Sequence, residues 1–184
     1  MTLKEMLTGA LQQLDRNTDS QTVELWRDKL TQYFNDAIID LTGALQPRRT
    51  DTLVLTDGQL DTNDLPRVCI KVAALNRNGV RLPFYYGVGT GVLYVPGTSD
   101  GPVAVSYRYL PLLLAADTDM PELPAWSHGA IISYAVGRER AAGDSMSINA
   151  ARACFEIYFS AKRNMRSNCG ECDAYRIVHK YGRG

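Results

Sequence analysis

The apolar residues of this chain change their spacing twice along its length. Up to about residue 43, and again from about residue 124 to residue 166, they recur three and four positions apart, as in amphipathic helices. Between residues 50 and 110, β-branched and aromatic residues instead alternate with polar ones, as in strands with one buried face. The chain therefore has to combine two helical segments with a sheet inserted between them.

The N-terminal segment predicts two helices, over about residues 2–15 and 20–43. Thr2 and Glu5 have the spacing of a capping box, which satisfies backbone N–H groups at the start of a helix. Gly43 is the expected end of the second helix. Each helix has one polar face, so we expect both to lie at the outside of a bundle.

The C-terminal segment predicts a second helix pair, over about residues 124–142 and 145–166. Pro124 suits a first helical turn because its φ is fixed and it has no N–H. Small residues then recur at every fourth position, which lets a neighbouring backbone approach closely. They are Ala125, Gly129, Ser133, Gly137 and Ala141. The positions of the last helix expected to face the core are Ala150, Ala151, Cys154, Phe155, Tyr158 and Ala161.

The middle of the chain predicts short strands separated by turns. They lie at about residues 52–56, 67–75, 80–82, 92–95 and 103–109. Asn78-Gly79 is a strong hairpin signal between two of them. Together the segments predict an α+β chain with a four-helix bundle-like core of two helix pairs, an inserted small antiparallel β-sheet over about residues 50–110, and an extended C-terminal tail. Residues 1–166 are then one domain and residues 167–184 the tail.

Composition favours a globular protein outside the membrane. Hydrophobic residues make up 45% of the chain and charged residues 22%, and no apolar run approaches the roughly 20 residues that span a bilayer. The first six residues lack the layout of a signal peptide, so we expect synthesis in a cytoplasm. Four cysteines are too few for a disulfide scaffold, and we expect thiols.

The formal net charge of +0 is unevenly distributed. Residues 1–66 contain eleven acidic and six basic side chains, whereas residues 160–184 contain six basic and two acidic ones. This polarity is consistent with head-to-tail contacts between copies or with an acidic partner, and equally with a solvated surface of uneven charge.

The sharpest chemical motif is the Cys-x-x-Cys pair formed by Cys169 and Cys172. With His179 it supplies three possible zinc ligands, but a structural zinc site needs four and no second pair follows. A redox role normally places such a pair at the N-terminus of a helix, and here it follows a helix C-terminus. We therefore assign no metal and no cofactor, and keep these three residues as a weak candidate only.

No other pattern predicts an active site. The glycines of residues 87–91 (GVGTG) are followed by neither Gly-Lys-Ser/Thr nor a clear helix, so a hairpin or mobile loop is favoured over a phosphate loop. His128 lies in no nucleophile motif and is interpreted as a surface or packing residue. Asp117 and Asp119 lack the rest of a calcium loop. We expect a protein that is not an enzyme.

Specific residues nevertheless match a known family. They are residues 105–111 (VSYRYLP), 117–124 (DTDMPELP), 131–141 (IISYAVGRERA) and 149–158 (NAARACFEIY). In this order the chain resembles the head–tail adaptor (connector) proteins of tailed bacteriophages, which have a strand-to-helix entry with Tyr, Pro and Leu-Pro, a Tyr-Ala helix and an alanine-rich last helix. The Cys-x-x-Cys pair is not part of that pattern.

The resemblance implies a structural virion protein at the neck, made in the cytoplasm of the bacterial host. Its partners would be other copies of itself in a ring, usually of twelve, together with the portal protein and tail or nozzle proteins. Packaged DNA would pass through the lumen without sequence-specific binding, and no membrane would be involved. The sheet would contact neighbouring copies or the tail.

The family's C-terminal segment commonly reaches the portal, which by position assigns the tail as a portal-docking segment. Its candidate contact residues are Arg166, Tyr175, Arg176, Ile177, Val178, Lys180, Tyr181 and Arg183. The alternatives are another neck or tail ring protein (a stopper or tail terminator) and a DNA-binding module that uses the basic tail with its interleaved aromatic residues.

Overall fold

The computed structural model describes residues 1–87, 91–143 and 145–168, and the side chains within them except those of residues 145 and 166–168. Within those ranges the chain forms four helices and seven strands. The helices are α1 (Leu3–Gln13), α2 (Ser20–Leu45), α3 (His128–Arg140) and α4 (Ser145–Asn168). The strands are β1 (Arg48–Leu55), β2 (Gln59–Asp61), β3 (Cys69–Arg77), β4 (Val80–Leu82), β5 (Tyr85–Tyr86), β6 (Val92–Tyr94) and β7 (Gly101–Tyr109).

The first helix pair begins at the residues that the sequence predicts. The capping box is confirmed, since the backbone N–H of Thr2 donates to Glu5 Oε2 at 2.8 Å and the N–H of Glu5 donates to Thr2 Oγ1. Gly43 does not end α2. The helix continues to Leu45 and stops at Gln46, which takes a left-handed conformation with φ of 49° and donates its N–H to Thr42 O.

The second helix pair is entered through a longer connection than expected. Pro124 does not start α3; it precedes a single 3₁₀ turn, Ala125–Ser127, and α3 begins only at His128. The connection before it is held by Asn35 of α2, whose amide donates to Leu114 O at 3.0 Å and accepts from Leu114 N at 2.8 Å. This loop is therefore part of the packed structure.

The strands form two antiparallel sheets. The larger sheet has the order β1-β7-β3-β4, and the smaller has the order β2-β6-β5. The hairpin predicted at Asn78-Gly79 is confirmed, with positive φ at both residues joining β3 to β4. In the larger sheet Thr50 of β1 pairs with Ser106 of β7, so every second residue of these strands points to the same face.

Two apolar clusters result. The helical cluster includes Leu7, Leu11, Phe34, Ile38, Ile131 and Tyr158, from all four helices. The sheet cluster lies between the two sheets and includes Leu55, Leu60, Val72, Leu93, Val105 and Tyr107. Because both sheets contribute to the sheet cluster, their outer faces point in opposite directions.

The predicted four-helix bundle-like core is wrong, although the α+β class is correct. The helices are spread around the sheets and do not run side by side about one axis. At 1.5 Å per residue α1 spans about 16 Å and α2 about 39 Å, so α1 covers less than half of α2. Leu114 and Leu123 of the loop before α3 complete the apolar cluster. Helical periodicity identified the buried face of each helix but not the element that covers it.

The prediction of a single inserted sheet is also wrong. β2, β5 and β6 contain only two or three residues each, which is too short for an alternating pattern to be recognised. They nevertheless form a second sheet over the inner face of the first. The assignment of residues 1–166 to one domain stays a prediction.

Candidate interaction surface

α4 carries exposed apolar residues on both sides of its buried stripe. The stripe itself is formed by Ala151, Tyr158 and Met165, which are nearly inaccessible. Positions eleven residues apart lie about three turns apart on the same side of a helix. One side therefore presents Met146 and Ile157, which are 80% and 58% exposed. We call these two residues the first flank of α4.

The second flank of α4 consists of Ile148, Phe155 and Phe159. Ile148 is 40% and Phe159 49% exposed, and the rings of Phe155 and Phe159 lie 6.3 Å apart. This stack continues inward, because Phe155 meets the edge of Tyr134 at 6.1 Å between ring centroids. The exposed rings are therefore supported by aromatic contacts to α3.

Close packing of α3 on α4 depends on one of the predicted small residues. A Cβ added at Gly137 would lie 3.1 Å from the Phe155 ring, closer than ordinary van der Waals contact. The close approach that the small-residue spacing predicts is thus present at this position. It sets the Phe155 ring, and with it the second flank of α4, at a fixed distance from α3.

A polar contact fixes α4 to α2. The Tyr158 hydroxyl donates to Asp40 Oδ2 at 2.5 Å, and Lys162 Nζ lies 2.6 Å from Asp40 Oδ1. Burial, followed by this hydrogen bond, raises the pKa of the Tyr158 hydroxyl. The phenol is therefore neutral at physiological pH and acts as a hydrogen-bond donor.

The end of the second flank borders an open cavity of about 420 Å³ lined by Glu156, Phe159, Lys162 and Arg163. An aromatic wall beside two cations suits a partner that offers an apolar side chain next to a carboxylate. The geometry is that of a contact surface, since the cavity is shallow.

A second group of polar residues joins the sheets to the loop before α3. Arg67 holds Glu122 through contacts of 2.5–3.2 Å, and this ion pair lowers the pKa of the Glu122 carboxyl. Nearby, the buried Tyr107 hydroxyl donates to Asp51 Oδ2 at 2.8 Å, while Arg49 bonds the same carboxylate. Burial and then this bond raise the pKa of Tyr107 to about 12. Each of these polar groups has a hydrogen-bond or ion-pair partner within the chain, and these contacts stabilise the fold.

The residues considered for catalysis or metal binding have structural contacts where they are described. His128 is buried and not at the surface; its Nδ1 lies 2.9 Å from the Met1 amino nitrogen and its Nε2 3.1 Å from Leu123 O. Burial lowers its pKa. Asp117 pairs with Arg27 at 2.7 Å, and Asp119 accepts from the backbone N–H groups of two residues of its own turn.

The metal and tail predictions fall largely outside the described residues. Cys169, Cys172 and His179 lie there, and so do the tail candidates Tyr175, Arg176, Ile177, Val178, Lys180, Tyr181 and Arg183. The side chain of Arg166 is likewise not described, nor are residues 88–90 of the glycine-rich loop. In the part of the chain that is described, no group of three His, Cys, Asp or Glu residues could hold a metal ion.

Sequence reasoning identified the buried stripe of α4 but missed its two flanks. Ala151 and Tyr158 are buried as predicted, and Phe155 is half-buried. Ile157 and Phe159 interrupt the polar surface only singly, so a periodicity argument takes them as isolated exposed residues. Their eleven-residue spacing from Met146 and Ile148 was the available signal.

Among the helices that the structure describes, none combines the length and the apolar character that a bilayer-spanning segment requires. No protein-family model matches the chain, and no curated protein matches it significantly.

Proposed function

We propose that this chain is a structural virion protein, a head–tail adaptor that forms a ring under the portal, extends the DNA channel and joins the capsid to the tail. The observation that carries the proposal is the pair of apolar flanks on α4. The order of helices, sheets and helices, and the residues that resemble the connector family, support it further.

Two apolar flanks on opposite sides of one helix suit a subunit with a neighbour on each side. Met146 and Ile157 would meet one neighbour, and Ile148 with Phe159 the other. Such heterologous contacts generate a closed ring when the rotation between copies closes. Complete burial of one isoleucine or phenylalanine side chain contributes about 1.5–3 kcal/mol, so several half-exposed side chains at each contact give a useful association energy.

The remaining partners follow from the resemblance. The ring, of about twelve copies in the family, would sit on the portal protein and receive tail or nozzle proteins on its other side. DNA would pass through the lumen without base-specific contacts. The C-terminal tail would dock on the portal.

The test is the mass of the purified chain by light scattering, alone and mixed with portal rings. We expect a ring-sized complex in the presence of portal. Ile157→Glu should weaken that assembly at least tenfold, because it places a charge in an apolar contact.

Leu25→Glu is the matched control. Leu25 is an exposed leucine on α2, 80% accessible, and belongs to neither flank of α4. The Leu25→Glu variant should assemble with portal rings as the wild-type chain does. A wild-type chain that stays monomeric with portal, or an Ile157→Glu variant that assembles as well as Leu25→Glu, contradicts the proposal.

A further inference from the structure

An open cavity lies where the end of α1 meets the junction between α3 and α4. Its volume is about 470 Å³, and its apolar lining includes Leu14 after α1, Trp26 of α2 and Met146 of α4. Met146 also belongs to the first flank of α4 and is 80% exposed. The cavity is therefore continuous with a surface that we propose to meet a neighbouring copy.

Contacts within the chain hold the wall of this cavity in place. Lys29 Nζ lies 5.3 Å from the centre of the Trp26 ring and 2.6 Å from the Glu139 carboxylate. Arg140 donates to the carbonyl of Gln13 at the end of α1. The cavity is thus formed before a partner binds, which lowers the entropy cost of docking.

Two exposed charges line the same cavity. The Asp15 side chain is 92% exposed, and its contact with Arg140 is long, at 3.7 Å. Arg16 is exposed and stacks on the Trp26 ring at 5.6 Å; in the part of the chain that the structure describes it pairs with no carboxylate. The cavity therefore offers an apolar surface beside one anion and one cation.

The second flank of α4 carries a matching set of groups on its solvent side. Glu156, Phe159 and Arg163 are three and four positions apart, so they form one ridge about 10 Å long, which we call the α4 ridge. Phe159 is 49% exposed, and Glu156 and Arg163 are exposed and form no ion pair among the described residues. The ridge therefore presents a ring between an anion and a cation.

One copy cannot place its own α4 ridge in its own cavity. Ala150 is the last residue of α4 in the cavity lining, and Glu156 lies about 9 Å farther along the helix. Two neighbouring copies can bring the two surfaces together, because a heterologous contact joins different surfaces of two identical chains.

We infer that the α4 ridge of one copy docks in the cavity of the next copy, with the Phe159 ring packed against Trp26 and Met146. This inference rests on the proposed ring and identifies the two surfaces that meet in it. The ring of Phe159 supplies the apolar contact, since it is half-exposed in the single chain and the cavity is open to solvent.

The charges of the two surfaces are complementary in this arrangement. Glu156 faces Arg16, and Arg163 faces Asp15, on either side of the apolar contact. Docking in the opposite direction would place like charges together, so the charges select one orientation.

The experiment reverses the charges of one pair, in the variants Arg16→Glu and Glu156→Arg. Assembly with portal rings is measured by light scattering at low ionic strength, because salt weakens exposed charge pairs. Each variant alone should need at least fivefold more protein for half-maximal assembly, since each of its contacts then joins two like charges. Circular dichroism checks that both variants fold.

Two further variants complete the set. Phe159→Ala, which removes the ring from the cavity, should need at least tenfold more protein. Asp28→Arg is the matched control, because Asp28 is an exposed carboxylate two residues from Trp26 and therefore on the opposite side of α2. It should assemble as the wild-type chain does.

An equal mixture of Arg16→Glu and Glu156→Arg should recover assembly. When the two variants alternate around the ring, each contact joins either the two reversed side chains or the two original ones, and both combinations attract. A single chain that carries both substitutions should recover for the same reason.

Assembly of Arg16→Glu, Glu156→Arg or Phe159→Ala at the wild-type level overturns this contact, and so does a mixture that fails to recover. Recovery by the doubly substituted chain alone also overturns it, because the two side chains would then meet within one copy. An equal loss in Asp28→Arg overturns it as well, since any reversed charge would then weaken assembly. In these cases the wild-type ring remains, whereas a wild-type chain that stays monomeric with portal removes the proposed function and this contact together.

Discussion

Replacing Lys71 by glutamate should make the isolated chain more stable. Lys71 lies in register with Arg108 on the outer face of the larger sheet, so the wild-type pair is repulsive. Glutamate converts it into an attractive pair. Lysine and glutamate are both weak strand formers, so the change in charge dominates the effect.

The size of the effect follows from the geometry of a cross-strand pair. Two unit charges about 6 Å apart in water interact by about 0.7 kcal/mol. Reversing one of them changes the folding free energy by about 1.4 kcal/mol, somewhat above the roughly 0.2–1 kcal/mol that a single favourable cross-strand pair contributes, because a repulsion is removed and an attraction is added. For a chain of this length that corresponds to a rise in Tm of about 3–6 °C.

The assay is thermal unfolding by circular dichroism, at a concentration where light scattering shows monomers and at low ionic strength. Lys71→Gln is the control, because it removes the repulsion without adding attraction and should give about half the gain. In 1 M salt, where the Debye length is about 3 Å, most of both gains should disappear.

A Lys71→Glu variant no more stable than Lys71→Gln would refute the reasoning. The register of β3 on β7 would then not bring the two charges close enough to repel. A gain that persists in 1 M salt would point to packing or propensity in place of charge.

Three further predictions concern the fold. Tyr107→Phe should lower the free energy of unfolding, measured in urea at pH 7, by about 1–2 kcal/mol, because it removes a buried hydrogen bond to the Asp51 carboxylate. Since the pKa of Tyr107 is raised to about 12 in the folded chain, this advantage of the wild type should disappear between pH 10 and pH 12. Glu122→Gln should destabilise the folded chain at pH 7 by about 1 kcal/mol, because it removes the ion pair with Arg67. That ion pair lowers the pKa of Glu122, so its stabilisation is lost on protonation and the difference between wild type and variant should shrink as the pH falls below about 4. Gly137→Val should lower the Tm by several degrees, since a side chain there meets α4, whereas Gly43→Ala, with open space around its Cβ position, should raise it slightly.

Local signals in the sequence were reliable where a side chain acts on its own backbone. The Thr2–Glu5 capping box and the Asn78-Gly79 hairpin depend on residues within a few positions, and both are present. Gly43 failed as a helix end because Ala44 is buried in the packed structure, which carries the helix one turn further to Gln46. Tertiary burial outweighs a glycine's preference for ending a helix.

The candidate surfaces could be predicted only in part. Ile157 and Phe159 are visible in the sequence, but their exposure depends on which side of α4 faces α3. The alignment of Arg48, Lys71 and Arg108 across the larger sheet depends on strand register, because these residues are distant in the sequence and align only because β7 lies between β1 and β3. No pattern within one strand contains that information.

The two ends of the β half of the chain lie next to each other. The N–H of Tyr109, at the end of β7, donates to the carbonyl of Pro47, immediately before β1, at 3.2 Å. The residues between them contribute their own apolar cluster, and Arg67 also links them to Glu122 of the loop before α3. Because its two chain ends adjoin, a short linker between residues 47 and 109 could replace this insertion without displacing the helices. By the same geometry, the insertion could be joined to another protein.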